Sequence, residues 1–332
     1  MLTNDVAGTG MDLRGDSEFA KRLREETCAV RIHVGKFGVR KALNDEQMGE
    51  ISEHFVAFKD ALRATKRLIP TRHPAYVDVI RVQYQAKVYW RGNTVPYTEP
   101  GWRLIRRSKV DRFLETMKEL EQDLKAARKR LAEAYSDIRE QAKSELGSLF
   151  NADDYPSSID GAYTLEWDFP SVEPPDYLRQ LNPELYERQM ALVASRFQQS
   201  LEAAEQMLAA ELQKLVAHMA ERLRTGEDGK AKQVRASCVD NLSAFFGRFR
   251  EMGIGSNGQL NQLVEQAEAL VKGVDLDVLK TSADSRASLA ESMAALSQSL
   301  DGLIVNAPIR AITLEDDTES GPVETESQTS AA

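Results

Sequence analysis

Cysteine is nearly absent. Cys28 and Cys238 are the only two in 332 residues, they stand far apart in the chain, and neither has a second cysteine nearby to make a metal pair. They read as ordinary buried thiols of a reducing compartment. Histidine is as sparse: His33, His54, His73 and His218 are spread over separate elements, none with a His or Cys three or four positions away, so zinc-ligand spacing is missing. No apolar run approaches the roughly 18 residues that a membrane span needs. Met1 to Gly15 has no basic region followed by an apolar stretch, so the expectation is a cytoplasmic chain with no membrane contact.

Catalytic signatures are missing too. A phosphate-cradling loop needs Gly-x-x-x-x-Gly-Lys-Ser/Thr, and Gly35-Lys36-Phe37-Gly38 lacks both the spacing and the hydroxyl, which makes it a turn. No Gly-x-Ser-x-Gly elbow supports nucleophilic hydrolysis. The neighbouring acids Glu25 and Glu26, or Asp153 and Asp154, read as solvated carboxylates and not as an acid–base pair held in a desolvated cleft. The expectation is a non-enzymatic protein with no catalytic residue, no cofactor and no metal.

What the chain does have is helix-forming pattern and unevenly spread charge. Hydrophobic residues make up 42% of it, enough to cover a core at this length. The net charge of −9 is the sum of two unlike parts. Arg63 to Arg112 holds a large excess of Lys and Arg over Asp78, Glu99 and Asp111, while Leu314 to Ala332 carries acids only. Residues 314–332 also hold hardly any large apolar side chain, so they are expected to form a disordered acidic tail, and 1–27 a flexible leader.

Residues 28–107 read as a small α+β base. Val30, Ile32 and Val34 alternate with polar positions as a half-buried strand does, broken by Gly35 and Gly38. Asn44 can cap a helix whose apolar positions Met48, Ile51, Phe55, Phe58 and Leu62 run on until Pro70. Residues 75–91 fit two patterns: strict alternation from Ile80 to Trp90, or a helical stripe through Val77, Ile80, Tyr84 and Val88. Periodicity cannot choose between them. Residues 92–101 read as a loop.

Two long helices dominate the middle of the chain. After Ser108 as N-cap, Val110, Phe113, Met117, Leu120, Leu124, Ala127, Leu131, Ala134 and Ile138 step by three and four, and the pattern continues to about Phe150. The second opens at Asn182-Pro183-Glu184, a cap, a proline at the first helical position and an acid at the positive helix end. Its seam runs through Val193, Phe197, Leu201, Ala204, Leu208, Leu212, Leu215, Met219 and Leu223, and Gly226 and Gly229 end it. Helices of about 40 residues, roughly 60 Å long, exceed a compact domain and need partners. The expected fold is therefore mainly α: a long antiparallel coiled-coil hairpin over 108–225 with a cap at 151–181 that includes a strand at Tyr163 to Phe169, then a C-terminal helical subdomain over 230–304. That subdomain has three helices, marked by Val234 to Phe249, by Leu260 to Leu270 after Asn257 as cap, and by Leu289 to Leu303.

One segment points to a ligand. Arg63, Lys66, Arg67, Arg72, Arg103, Arg106, Arg107, Lys109 and Arg112 are interleaved with Tyr84, Tyr89, Trp90, Tyr97 and Trp102, and cations among stacking aromatics are what single strands bind. The patch could equally meet the acidic remainder of the chain or a protein partner, with the aromatics in the core. Nucleic acid is thus the second reading, behind a scaffold or adaptor whose coiled coil engages a protein or a second copy of the chain.

Certain turns and packing patterns go further. Phe37-Gly38-Val39 after the first strand, the Gly101 to Ile105 turn, Tyr155-Pro156, the Asn241 to Phe246 helix and its Leu260 to Val274 successor resemble, over about residues 28–303, an uncharacterised bacterial domain-of-unknown-function family of phages, plasmids and other mobile elements. That resemblance implies an adaptor encoded near ring-forming ATPases of the MoxR type, with such an ATPase as a partner. It implies no active site.

Overall fold

The computed structural model describes residues 17–56, 58, 61–224, 232, 234–252, 258–272, 274, 278–279 and 282–305. The acidic tail, the start of the leader, Asn257, Gly226 and Gly229 lie outside them. The protein is mainly helical with a few short strands, and it divides into two compact units that interleave in sequence. Their described parts are 17–30, 92–109 and 169–305 in unit 1, and 31–91 and 110–168 in unit 2. The cuts fall after residues 30, 91, 109 and 168, so each unit draws its chain from separate stretches of the sequence.

In unit 1 the leader expected to be flexible is helical at its end. It contains α1 (Glu18–Glu26), capped by Ser17, whose hydroxyl accepts from Ala20 N at 3.2 Å. Ala20 and Leu23, a turn apart, are buried in the unit's core, and that burial holds the helix. β1 (Thr27–Gly35) comes next and starts in this unit; β4 (Val95–Pro96) pairs antiparallel with β5 (Trp102–Arg106), and β5 neighbours β1. The stretch expected as a loop and a turn therefore holds two strands.

The rest of unit 1 is helical: α6 (Tyr177–Leu181), α7 (Pro183–Leu223), α8 (Ala236–Met252), α9 (Gly258–Lys272) and α10 (Ala283–Val305). Asn182 caps α7 as expected, its side chain accepting from Leu185 N at 3.0 Å, with Pro183 at the first position. Of the nine seam residues all are buried except Leu215, which is partly so. The partner is not the one expected. The seam is packed chiefly by α10, with α1, α8 and α9 beside it, while the first long helix belongs to unit 2. α10 begins beside the C-terminal end of α7, where Arg286 bonds the last α7 carbonyls, so its long contact with α7 requires that it run back antiparallel.

Unit 2 contains the end of β1, β2 (Arg40–Ala42), α2 (Asp45–Phe55), β3 (Thr65–Arg67), α3 (Pro74–Gly92), α4 (Val110–Glu133), α5 (Tyr135–Leu146) and β6 (Thr164–Asp168). β1 pairs antiparallel with β6, Gly35 opposite Thr164, and β2 pairs antiparallel with β3 as a separate ribbon. Gly35 thus ends the strand inside the ladder and does not break it. A β-carbon there would lie 2.5 Å from Thr164 Oγ1, the atom that accepts from Gly35 N. Gly35→Ala should cost about 1–2 kcal/mol, read as a lower urea midpoint.

Three expectations change in this unit. Asn44 does cap α2, in a capping box with Gln47, but the helix stops at Phe55, where Val56 turns left-handed at φ 52°. Residues 75–91 are helical, yet the buried face is Val79, Val82, Gln83, Ala86 and Trp90, leaving Tyr84 and Val88 of the expected stripe exposed. The first long helix is interrupted at Ala134 and ends at Leu146, before Gly147 at φ 53°, although Phe113, Met117, Leu124, Ala127, Leu131 and Ile138 line the core as the spacing predicts.

Candidate cationic surfaces

The division into units separates the basic segment. Trp102, Arg103, Arg106, Arg107 and Lys109 lie in unit 1; Arg63, Lys66, Arg67, Arg72 and Arg112 lie in unit 2.

In unit 1 the cations are engaged at home. Arg103 lies on β5 and donates from Nε to Thr94 Oγ1 at 2.7 Å and from Nη2 to Thr94 O at 2.8 Å. Arg106 reaches Glu26 at 2.5 Å and the Glu251 carbonyl at 3.2 Å; Arg107 donates to Thr27 O at 3.2 Å; Lys109 pairs with the Glu251 carboxylate. These groups border a cleft of about 370 Å³, open to solvent, with Leu23, Val95, Leu104 and Met252 as apolar lining and Arg106, Lys109, Arg248 and Glu251 as charged lining. Arg248 is itself paired with Glu211 at 2.5 Å. The crowding of cations ahead of the first long helix is relieved by carboxylates of the same unit.

The aromatics are mostly core. Tyr97 is buried, stacked on Trp102 with centroids 6.3 Å apart and tilted against Phe197. In unit 2, Tyr89 stacks on Phe113 at 5.8 Å and Trp90 is buried. Of the six aromatics in the segment, Tyr76 included, Tyr84 alone is exposed.

Unit 2 holds a cationic feature with different geometry. In the β2–β3 ribbon, Arg40 stands opposite Arg67 and Lys41 opposite Lys66. Alternation along a strand sends these two pairs to opposite faces. The lysine face meets Asp154: Lys41 Nζ is 2.6 Å from Oδ1 and Lys66 Nζ 2.7 Å from Oδ2, and Lys66 also donates to Leu149 O at 2.7 Å. The Lys66 and Asp154 side chains are only 4% and 3% exposed. Burial works against the Asp154 charge, but the hydrogen bonds and charges of the two lysines outweigh it and hold the carboxyl below its usual range. Arg40 and Arg67 are exposed and make no ion pair among the described residues. Arg63 and Arg72 are exposed in the connections flanking β3, and Arg112 is exposed on α4. Arg40 and Lys41 fall outside the basic segment read from the sequence; recognising 39–43 and 64–68 as paired strands would have found them.

No family model, curated protein or solved structure matches the chain. The chemistry of the site therefore stands on its own geometry. Among the described residues no group of His, Cys, Asp and Glu is placed to hold a metal ion, and no helix is long and apolar enough to cross a membrane. Cys28 is half-buried, and burial raises its thiol pKa more than the Arg107 charge lowers it, so it stays protonated and is a poor nucleophile. His33 Nε2 lies 3.4 Å from Asp168, but that carboxylate is already held by Arg31 in a two-pronged pair at 3.0 and 2.5 Å, which lowers its pKa. These are the contacts of charge pairing, and no nucleophile accompanies them.

Proposed function

We propose that the protein is a non-enzymatic scaffold or adaptor that engages a protein partner through a helical face. The observation that carries this reading is the outer side of α3. Val77, Ile80, Tyr84 and Val88 recur at helical spacing opposite the buried face, with Tyr84 56% and Val88 50% exposed. Two apolar side chains left in solvent, in line with the part-buried Val77 and Ile80 on a helix already anchored by its other side, match the anchor pattern by which helices dock in grooves. The unit 1 cations of the basic segment, by contrast, already have internal partners, which weakens the reading of residues 63–112 as one nucleic-acid surface. The scaffold reading rests on single helical faces and needs no hairpin of the two long helices. From the family resemblance it takes a ring-forming ATPase of a phage or mobile element as the first partner to look for, with a homodimer as the other form.

Leu124 and Leu208 are core positions, so charging them tests the fold and not the partner. The informative change is Tyr84→Asp with Val88→Asp. Tagged protein captured from nuclease-treated host lysate should retain a defined protein, and the double variant should recover about tenfold less of it with an unchanged circular dichroism spectrum. Loss of every partner after nuclease treatment of the wild type would overturn the proposal.

A further inference from the structure

Beyond the protein-binding role, we infer that the β2–β3 ribbon, together with Phe55 and Phe58 from the chain between its strands, forms a site for single-stranded nucleic acid, with Arg40 and Arg67 on the phosphates and the two rings on the bases.

The ribbon carries a cost. Like charges directly opposite on antiparallel strands destabilise the pair, and strands of three residues have little stability in hand. The ribbon nevertheless places two such pairs in succession, held by Leu68 N to Val39 O at 2.8 Å and Leu43 N to Ala64 O at 3.2 Å. On the inner face Asp154 answers the lysines. On the outer face no described carboxylate pairs with either arginine, and two guanidinium forks on residues about 5 Å apart between Cα atoms match the oxygens of one phosphate or two adjacent ones. Four cations against one carboxylate leave the ribbon positive on balance.

The connection supplies the second half. Phe55 is 69% exposed and Phe58 90%, and between them Val56 sits at φ 52° with its own side chain in solvent. A β-branched residue in the left-handed region is strained, and no packing of the valine offsets that strain. Its effect is to turn the chain just past α2, between two rings that both stay out of the core. Exposed rings in the chain that joins two strands bearing exposed arginines suit unstacked bases on a phosphate backbone; an acidic peptide would need no rings, and a duplex offers no free base faces. Among the described residues the acids of the connection, Asp45, Glu46, Glu50 and Glu53, all lie on α2, the first two in its first turn, where the helix dipole favours them.

The test is fluorescence anisotropy of a labelled oligothymidylate of about 20 nucleotides with the full chain across a salt series. The wild type should bind, and Arg40→Glu with Arg67→Glu should weaken binding at least tenfold and flatten the plot of log affinity against log salt by about 1.4, two phosphates' worth. Phe55→Ala with Phe58→Ala should weaken binding about tenfold and leave that slope unchanged. Arg40→Glu alone places opposite charges across the ribbon, so it should lose affinity while the thermal midpoint holds or rises by about 1–2 °C. The inference is overturned if the wild type fails to bind at about 50 mM salt, if the double charge reversal keeps the wild-type slope, or if duplex or polyglutamate competes as well as the single strand. A lowered midpoint in Arg40→Glu would also overturn it, because the arginine would then be structural.

Discussion

Arg286→Ala is expected to lower stability by about 3 kcal/mol, seen as a urea midpoint that falls while the dependence on denaturant is kept. The last carbonyls of a helix have no donors of their own, and in α7 these belong to a 41-residue element. A residue from a distant helix supplies the donors. Arg286, buried near the start of α10, donates from Nε to Leu223 O at 2.7 Å and from Nη2 to Arg222 O at 2.7 Å, and it also reaches Lys232 O. Its charge sits at the negative end of the helix dipole, so each bond is charge-assisted. Alanine would leave the buried Leu223 carbonyl and the part-buried Arg222 carbonyl without these donors, and a void where the guanidinium lay. Lysine keeps the charge and loses the fork, so Arg286→Lys should recover part of the loss. If alanine cost less than about 0.5 kcal/mol, solvent would be capping α7, and Arg286 would not be what sets α10 against it.

Which helix fills the α7 seam is the kind of fact that periodicity does not carry. The seam itself was legible, since Val193 to Leu223 follow the three-four step and are buried accordingly, and the Asn44 and Asn182 caps form where the spacing places them. Two long helices with similar seams look like partners, but seam matching is blind to identity. α10 meets α7 with Met293, Leu296 and Leu300 and also with a buried arginine, which a hydrophobic pattern scores as a defect. The same blindness applies to α3, where Gln83 lies in the buried face because its amide donates to Gly35 O at 2.8 Å and Thr164 O at 3.1 Å. Val79, Val82, Ala86 and Trp90 make a second apolar stripe, so apolar spacing fits both sides of the helix, and the amide of Gln83 marks the buried one. α2 fails differently: Phe55 and Phe58 continue the helical period, and only the left-handed turn at Val56 shows that the chain has left the helix.

The candidate site was half legible for a related reason. A run of cations along the sequence is visible, but whether they act together depends on which strands pair. Pairing removed Arg106 and Lys109 to carboxylates in unit 1 and joined Arg67 to Arg40, which lies 27 positions earlier.

The ribbon's inner face gives the largest expected effect. Asp154→Asn should destabilise unit 2 by about 3–5 kcal/mol at neutral pH, because it leaves Lys66 buried without a counter-charge. The sign of the pH dependence follows from the carboxyl being held below its unfolded value. Its contribution is complete above the ordinary carboxylate range, near pH 4, and is lost as pH falls below that. Urea midpoints of wild type and variant should therefore differ widely at about pH 7 and by less at a pH below the ordinary carboxylate range, where Asp154 starts to take up its proton. An equal difference at both pH values would mean that Asp154 acts through packing and not charge. Adding Lys66→Met to Asp154→Asn should restore most of the loss, since an apolar chain in place of the unpaired ammonium has no charge left to bury. Lys66 also holds Leu149 O, so the same contact fixes β3 to the turn after α5 and presents Arg67 on the other face. Asp154→Asn should accordingly weaken oligothymidylate binding while leaving its salt slope intact, because the phosphate-facing arginines keep their number and lose only their fixed spacing.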